Sequence, residues 1–133
     1  MSFYPDPDSF YQVMQRLFER LSTNPGATAQ FQRAKMAIRF RCTEPQAELL
    51  IDGRSNPIRV ETGPQPGRTD LDLTMTADTL HDVWLGKVRL RDAFSNGQIR
   101  VSGNVFRAMQ LADLFREAEA AYPQVLRELG YSV

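Results

Sequence analysis

One histidine and one cysteine bound the side-chain chemistry open to this sequence. A Ser-His-Asp or Cys-His arrangement would have to use His81. His81 follows Leu80 on a predicted helix, between Asp78 and Asp82, and reads as a partly exposed helical histidine. Cys42 falls at the end of a predicted strand and reads as a small buried or half-buried hydrophobe. A single cysteine allows no intrachain disulfide and no thiolate metal site within one chain. Asp70 and Asp72 stand two apart on a predicted strand, so both face one side. They could supply half of an oxygen-ligand cation site, although such pairs are more often a solvated strand face. Asp6 and Asp8 flank Pro7 at a helix start, where negative charge suits the helix dipole. No Walker A, dinucleotide, HExxH or zinc-finger spacing occurs. Gly63-Pro64-Gln65-Pro66-Gly67 lacks two of the N–H groups that a phosphate cradle would need. The expectation is therefore a protein with no catalytic residue, no metal and no cofactor; a hydrolase centred on His81 is the weakest reading.

Position depends on the elements beneath these residues. Asp6 can cap a helix with Pro7 at its first position, and Phe10, Met14, Leu17 and Leu21 recur at helical spacing. Asn24-Pro25-Gly26 ends it, and a shorter helical stretch is predicted over Ala27 to Arg33. From Lys35 to Arg41 the period becomes two. Met36, Ile38 and Phe40 face one way, and Lys35, Ala37, Arg39 and Arg41 the other. Further strands are predicted over Ala47 to Ile51, Ile58 to Glu61 and Asp70 to Thr76. Their short links favour an antiparallel meander with one wet face. Asp78 can cap a helix carrying Leu80, Val83, Trp84 and Leu85, with Gly86 at its end. A short helix over Leu90 to Ser95 and a strand over Gln98 to Ser102 follow. Gly103-Asn104 then opens a helix with Val105, Ala108, Met109, Ala112 and Phe115 on one stripe. Pro123 is expected to stop it, leaving Gln124 to Leu129 as a separate short helix.

Composition narrows the class. The 133 residues suit one domain, 1–133, and 42% of them are hydrophobic. Sixteen basic and sixteen acidic side chains cancel, which argues against nucleic acid as partner. No apolar run approaches the length of a membrane span. The first residues lack the basic region and apolar core of a secretory signal, and Tyr131-Ser132-Val133 is not a peroxisomal address. A cytoplasmic protein is the expectation. Two local basic clusters hide inside the zero net charge: Lys35, Arg39 and Arg41 on one strand face, and Lys87, Arg89 and Arg91 after Gly86. Either could receive an anionic headgroup or an acidic partner surface.

Apolar residues gather in the last third. Leu80, Trp84, Leu85, Phe94, Ile99, Val101, Val105, Phe106 and Met109 sit on short helices, a strand and the closing helix. Glycine-stopped short helices pack less regularly than long ones and can leave an apolar cavity against a sheet. A packed core would show the same periodicity.

Two stretches carry a family resemblance. Leu73-Thr74-Met75-Thr76-Ala77-Asp78-Thr79-Leu80 continues through Trp84-Leu85-Gly86-Lys87. Ala93-Phe94-Ser95-Asn96-Gly97-Gln98-Ile99-Arg100-Val101-Ser102-Gly103-Asn104 follows. Together they resemble the sterol carrier protein-2 (SCP2) family, whose pattern is a strand, a short helix ending in Gly-Lys, an Ala-Phe-x-x-Gly turn, and a strand entering Gly-Asp or Gly-Asn. The resemblance runs from about Phe10 to Leu114. It implies an α+β fold, a five-stranded, mainly antiparallel sheet covered on one face by helices. It also implies a hydrophobic tunnel between them for fatty acyl chains, sterol-like or isoprenoid lipids. Met36, Ile38, Leu73, Met75, Leu80, Trp84, Phe94, Ile99, Val101, Val105 and Met109 would line or close that tunnel. The chain lacks the carboxy-terminal tripeptide of peroxisomal members, which turns the expectation toward small stand-alone bacterial relatives. The first functional expectation is non-enzymatic carriage of a hydrophobic small molecule, with at most transient membrane contact. The second is an accessory or assembly protein for a partner enzyme of lipid or isoprenoid-quinone metabolism.

Overall fold

Asp6 and Pro7 start the first helix as their types require. The Asp6 carboxylate accepts the Ser9 N–H at 2.8 Å, and α1 runs over Pro7–Ser22. The computed structural model describes residues 2–132, with the side chains of Pro25 and Met109 outside the description. The chain continues as α2 (Pro25–Ala34), β1 (Ala37–Thr43), β2 (Ala47–Asp52), β3 (Arg59–Thr62) and β4 (Leu71–Thr76). It goes on through α3 (Ala77–Trp84), α4 (Leu90–Ser95), β5 (Arg100–Gly103), a 3₁₀ segment over Val105–Leu111, and α5 (Ala112–Glu128). Thr76, not Asp78, caps α3, accepting the Thr79 N–H at 3.0 Å. Asp78 instead accepts the Phe3 N–H at 2.8 Å and ties the amino terminus to α3.

The five strands form one sheet in the order β3-β2-β1-β4-β5. Pairs β1/β2, β2/β3 and β4/β5 are antiparallel, and β1/β4 is parallel. The sheet is thus mainly antiparallel, but the simple meander expected from short links is corrected. β4 does not pair with β3; the chain crosses over β2 and β1 to reach the far side of β1. Alternation tells which side of a strand is apolar, not which strand lies beside it. The crossing segment, 63–70, lies on the sheet face away from the helices. Arg39 holds it there, donating to the carbonyls of Gln65 at 2.9 Å and Gly67 at 3.1 Å. That cover buries Ala37 and Arg39, so the predicted wet face of β1 is dry at these two positions.

On the other face Ile38, Phe40, Leu49, Ile51, Leu71 and Leu73 are wholly buried against α1, α3 and α5. Helix α1 contributes Phe10, Val13, Met14, Leu17, Phe18 and Leu21, an unbroken stripe committed to the interior.

The closing helix differs from expectation at both ends. Its first turns are 3₁₀, and α5 proper begins at Ala112. Pro123 lies inside α5 and does not end it, so Gln124 to Leu129 is not a separate helix. A proline here removes one backbone hydrogen bond and strains the preceding turn. Burial on both sides of it, at Ala118 and Tyr122 and at Val125 and Leu126, holds the helix through.

Candidate ligand-binding site

Two places in the sheet–helix layer bring the predicted apolar residues together. The first is the seam between Phe40 on β1 and helices α1, α3 and α5. Here the Trp84 ring centroid lies 6.1 Å from Phe18, 6.1 Å from Phe40, 5.6 Å from Phe115 and 5.6 Å from Tyr122. Edge-to-face and tilted rings fill the seam from sheet to helix. Met36, Ile38, Leu73, Met75, Leu80 and Trp84 all belong to this core, none more than 4% exposed. The Trp84 indole N–H is buried with no hydrogen-bond partner among the described residues. An unpaired buried donor of this kind is unusual in a packed interior.

The second place is the open side of β5. Phe94, Ile99, Val101 and Val105, with Gly97, Arg100 and Ala108, line a depression of about 550 Å³. Its floor is continuous with the core: Ile99 is buried, and Phe94, Val101 and Ala108 pack against the same cluster. Local sequence explains why it stays uncovered. β5 is an edge strand of only four residues, paired with β4 alone. At Gly103, φ is +108°, and a Cβ there would overlap the Asp70 carbonyl oxygen. Only glycine lets the chain turn so close to β4. The following 3₁₀ segment is pinned by Arg107, which bonds Asp70 Oδ1 at 3.0 Å and the Ala34 carbonyl. Met109, expected on the same stripe, has its side chain outside the described residues.

A smaller depression of about 270 Å³ lies on the other side of α4, lined by Val83, Val88, Arg89, Leu90, Ala112 and Phe115 among others. Sequence reasoning did not assign Val88 or Leu90 to a site. Both lie in the loop and first turn after Gly86, where no periodicity marks which side faces inward.

The titratable groups make a structural cluster. His81 is only 7% exposed, not the partly exposed residue expected, and its Nδ1 lies 2.7 Å from the Tyr122 hydroxyl. Tyr122 also hydrogen-bonds the Tyr4 hydroxyl, and Phe3 stacks on the imidazole at 3.7 Å between centroids. Burial pushes the His81 pKa down and those of Tyr4 and Tyr122 up. Burial also pushes the Cys42 thiol up to about 12, which leaves it a poor nucleophile.

The polar candidates resolve similarly. Asp70 accepts the Ala37 N–H at 2.8 Å and pairs with Arg107; Asp72 lies 3.3 Å from Arg41 and 3.8 Å from Arg39. Asp70 is thus engaged by a cation and a backbone N–H, and Asp72 by two cations and the Thr69 hydroxyl. Among the described residues no cluster of three or more potential ligands could hold a metal ion. The first basic cluster dissolves as well: Lys35 ends α2 in a left-handed conformation, and Arg39 is buried beneath the crossing loop. Lys87, Arg89 and Arg91 are exposed, and among the described residues none has an ion-pair partner.

A mixed five-stranded sheet with helices packed on one face, and an apolar depression beside its edge strand β5, defines an α+β protein. Residues 14–116 match the SCP-2 sterol transfer family, and the chain belongs to that family. Solved structures agree in fold. The sterol carrier protein domain 2 of Helicoverpa armigera superposes with a TM-score of 0.69 at 21% identity, over 90% of this chain and 94% of that one. The apo form of sterol carrier protein 2 from Yarrowia lipolytica gives 0.65 at 19% identity, over 85% and 91%. A UbiJ-SCP2 ubiquinone synthesis protein gives 0.61 at 18%, over 91% and 95%. No curated protein is significantly similar in sequence to this chain. Among the described residues no helix is long and apolar enough to cross a membrane.

Proposed function

We propose that this protein binds and carries a hydrophobic small molecule with an extended apolar tail, such as a fatty acyl, sterol-like or isoprenoid lipid, without transforming it. The observation that carries this reading is the depression of about 550 Å³ whose apolar floor runs directly into the core. Its size falls within the roughly 300–1,000 Å³ of small-molecule sites. An alkyl tail laid over Ile99, Val101 and Phe94 leaves water at ~0.8 kcal/mol per methylene. About fifteen buried methylenes, ~12 kcal/mol, would then offset an association cost of ~4 kcal/mol and leave micromolar binding. Phe94, Ile99, Val101 and Val105 would touch the ligand first. Met36, Ile38, Leu73, Met75, Leu80 and Trp84 would form the wall behind them, and the seam would accept more of the tail only if its rings part. Titration with a fluorescent fatty acid, checked by native mass spectrometry, is expected to give one molecule per chain at micromolar concentration. Absence of bound or displaceable lipid in that range would overturn the reading.

A second reading is an accessory role beside an enzyme of lipid or quinone metabolism. It is supported by the likeness in fold to a ubiquinone synthesis protein. Capture of a specific enzyme by the tagged protein, undiminished when the β5 depression is filled by Ala108→Trp, would favour it over carriage.

A further inference from the structure

Residues 2–5 lie against α3 and α5, and Tyr4 among them is only 1% exposed. Two hydrogen bonds tie this segment to the body among the described residues. The Phe3 N–H donates to Asp78 at 2.8 Å, and the Tyr4 hydroxyl meets that of Tyr122. Phe3 stacks on His81 and lies 5.2 Å from Tyr131, while Tyr4 sits edge-on to Phe10 and to His81. Behind Tyr122 stands Trp84, with ring centroids 5.6 Å apart. Elsewhere Ser2, Tyr4 and Pro5 border an open depression of about 420 Å³ with Glu44 and Pro45. The segment is therefore held at few points, and these gather around His81.

A proton on His81 would upset that arrangement. A neutral imidazole can present Nδ1 as an acceptor, so Tyr122 donates to it and accepts from Tyr4, and each hydroxyl proton has a partner. An imidazolium carries an N–H at both nitrogens. Nδ1 must then donate to Tyr122, Tyr122 must donate to Tyr4, and the Tyr4 proton is left without an acceptor among the described residues. A buried donor without a partner favours whatever conformation returns it to water. The groups around the ring divide. Burial lowers the His81 pKa and is the largest influence on it; Asp82 and Asp78 attract the imidazolium, and Lys87 repels it weakly. The stacked face of Phe3 also attracts a cation, against the burial that the same ring imposes. In the closed segment the Asp78 carboxylate is taken by the Phe3 N–H; once released it stands one turn before His81 and can pair with it. The Tyr4 and Tyr122 phenols and the Cys42 thiol near Tyr4 are pushed up by burial and stay neutral.

We propose that residues 2–5 are an acid-released strap: protonation of His81 frees Phe3 and Tyr4 from α3 and α5 and uncovers Tyr122 and the Trp84 seam behind it, while the rest of the fold stays intact. The strap swings about Asp6 and Pro7, where α1 begins. Its release breaks no hydrogen bond of the sheet or the helices. The carrier reading gives this a purpose, a second way into the seam besides the β5 depression, but strap release does not depend on that reading.

His81 and Trp84 are the sole histidine and tryptophan of the chain, so each gives an unambiguous signal. The test is an NMR titration of the His81 ring in the full chain, with its nuclear Overhauser contacts to Phe3, alongside acrylamide quenching of Trp84. Between about pH 8 and pH 5 the contacts to Phe3 should disappear as the ring protonates, and the quenching constant should rise severalfold, with far-UV circular dichroism unchanged. Reciprocity supplies a second arm: if the closed strap holds the proton off, loosening the strap must ease protonation. Phe3→Ala should raise the His81 midpoint toward 6.5 by about 0.5, roughly threefold in proton affinity. His81→Gln should leave Trp84 quenching flat across the range. Contacts to Phe3 that persist on the protonated ring, a midpoint unmoved or lowered by Phe3→Ala, or loss of helix signal over the same range would overturn the inference. Titration with a fluorescent fatty acid at neutral pH reads carriage separately: no binding there, with the strap response intact, would strike the carrier reading alone.

Discussion

The aromatic seam around Trp84 and the depression beside β5 are built from the same residue types and reach opposite states. In the seam, rings from three helices meet Phe40 and close the space. At β5, a four-residue edge strand, a glycine turn and a 3₁₀ segment leave Phe94, Val101 and Val105 partly in solvent. The difference lies in the length of the covering elements. α1 and α5 span 16 and 17 residues and present whole apolar stripes, whereas α4 has 6 residues and buries only Ala93. Stability resides in the first region and, on the carrier reading, ligand exchange in the second. Such a division suits a carrier, since exchange sites come from the less stably covered parts of a fold.

The comparison breaks most visibly if the seam is opened. Phe40→Ala removes a wholly buried ring that touches Trp84 and Phe115. It should cost about 3–5 kcal/mol and lower the melting temperature by roughly 10–20 °C. Val105→Ser at the depression should change the unfolding free energy by no more than about 0.5 kcal/mol. Equal losses in a denaturant titration would erase the distinction.

Tyr122→Phe comes next. It removes the hydroxyl shared by Tyr4 and His81 and leaves two buried polar groups short of a partner. A loss of about 1–3 kcal/mol is expected from chemical denaturation. An unchanged midpoint would show that water replaces the hydroxyl.

Acid should act through the same cluster. Burial lowers the His81 pKa in the folded state below its ordinary 6.5, against a smaller opposing pull from Asp78 and Asp82; Lys87 adds a weak push downward. The unfolded chain therefore binds the proton first as pH falls. Stability is fully present above about 6.5 and declines below it, down to the folded value. His81→Gln should flatten that part of the melting-temperature profile; a profile unchanged by the substitution would assign the slope to other groups.

Among changes within the seam, the smallest effect is expected at Trp84→Phe. The ring is retained in outline and the unpartnered indole N–H is removed, so stability should stay within about 1 kcal/mol. A larger loss in thermal unfolding would mean that the indole has a partner in solution.

Much of this architecture was legible in the sequence. Asp6-Pro7 and Asn24-Pro25-Gly26 framed α1, and alternation placed Ile38, Phe40, Leu71 and Leu73 on the inner face. Strand order was not legible, because alternation carries no information about neighbours, and the Arg39 carbonyl contacts that hold the crossing loop join residues 26 and 28 apart. Pro123 misled because its local cost is outweighed by tertiary burial at Tyr122, Val125 and Leu126. His81 was placed on the right helix but judged too exposed, since Phe3, Tyr4 and Tyr122, which cover it, lie far away in sequence. The apolar residues assigned to a site were not separable into seam and depression by type. Only the packing divides Leu80 and Trp84 from Val101 and Val105.

On the carrier reading, ligand enters at the β5 depression. Ala108 lines it, and Ala108→Trp would fill it while leaving the seam as it is. Displacement of a fluorescent fatty acid, measured on wild type and this variant with unfolding followed in parallel, is the direct measurement. Loss of at least tenfold in affinity with a melting temperature close to wild type is the predicted result. Undiminished affinity in a folded Ala108→Trp protein would contradict the account and place the ligand elsewhere.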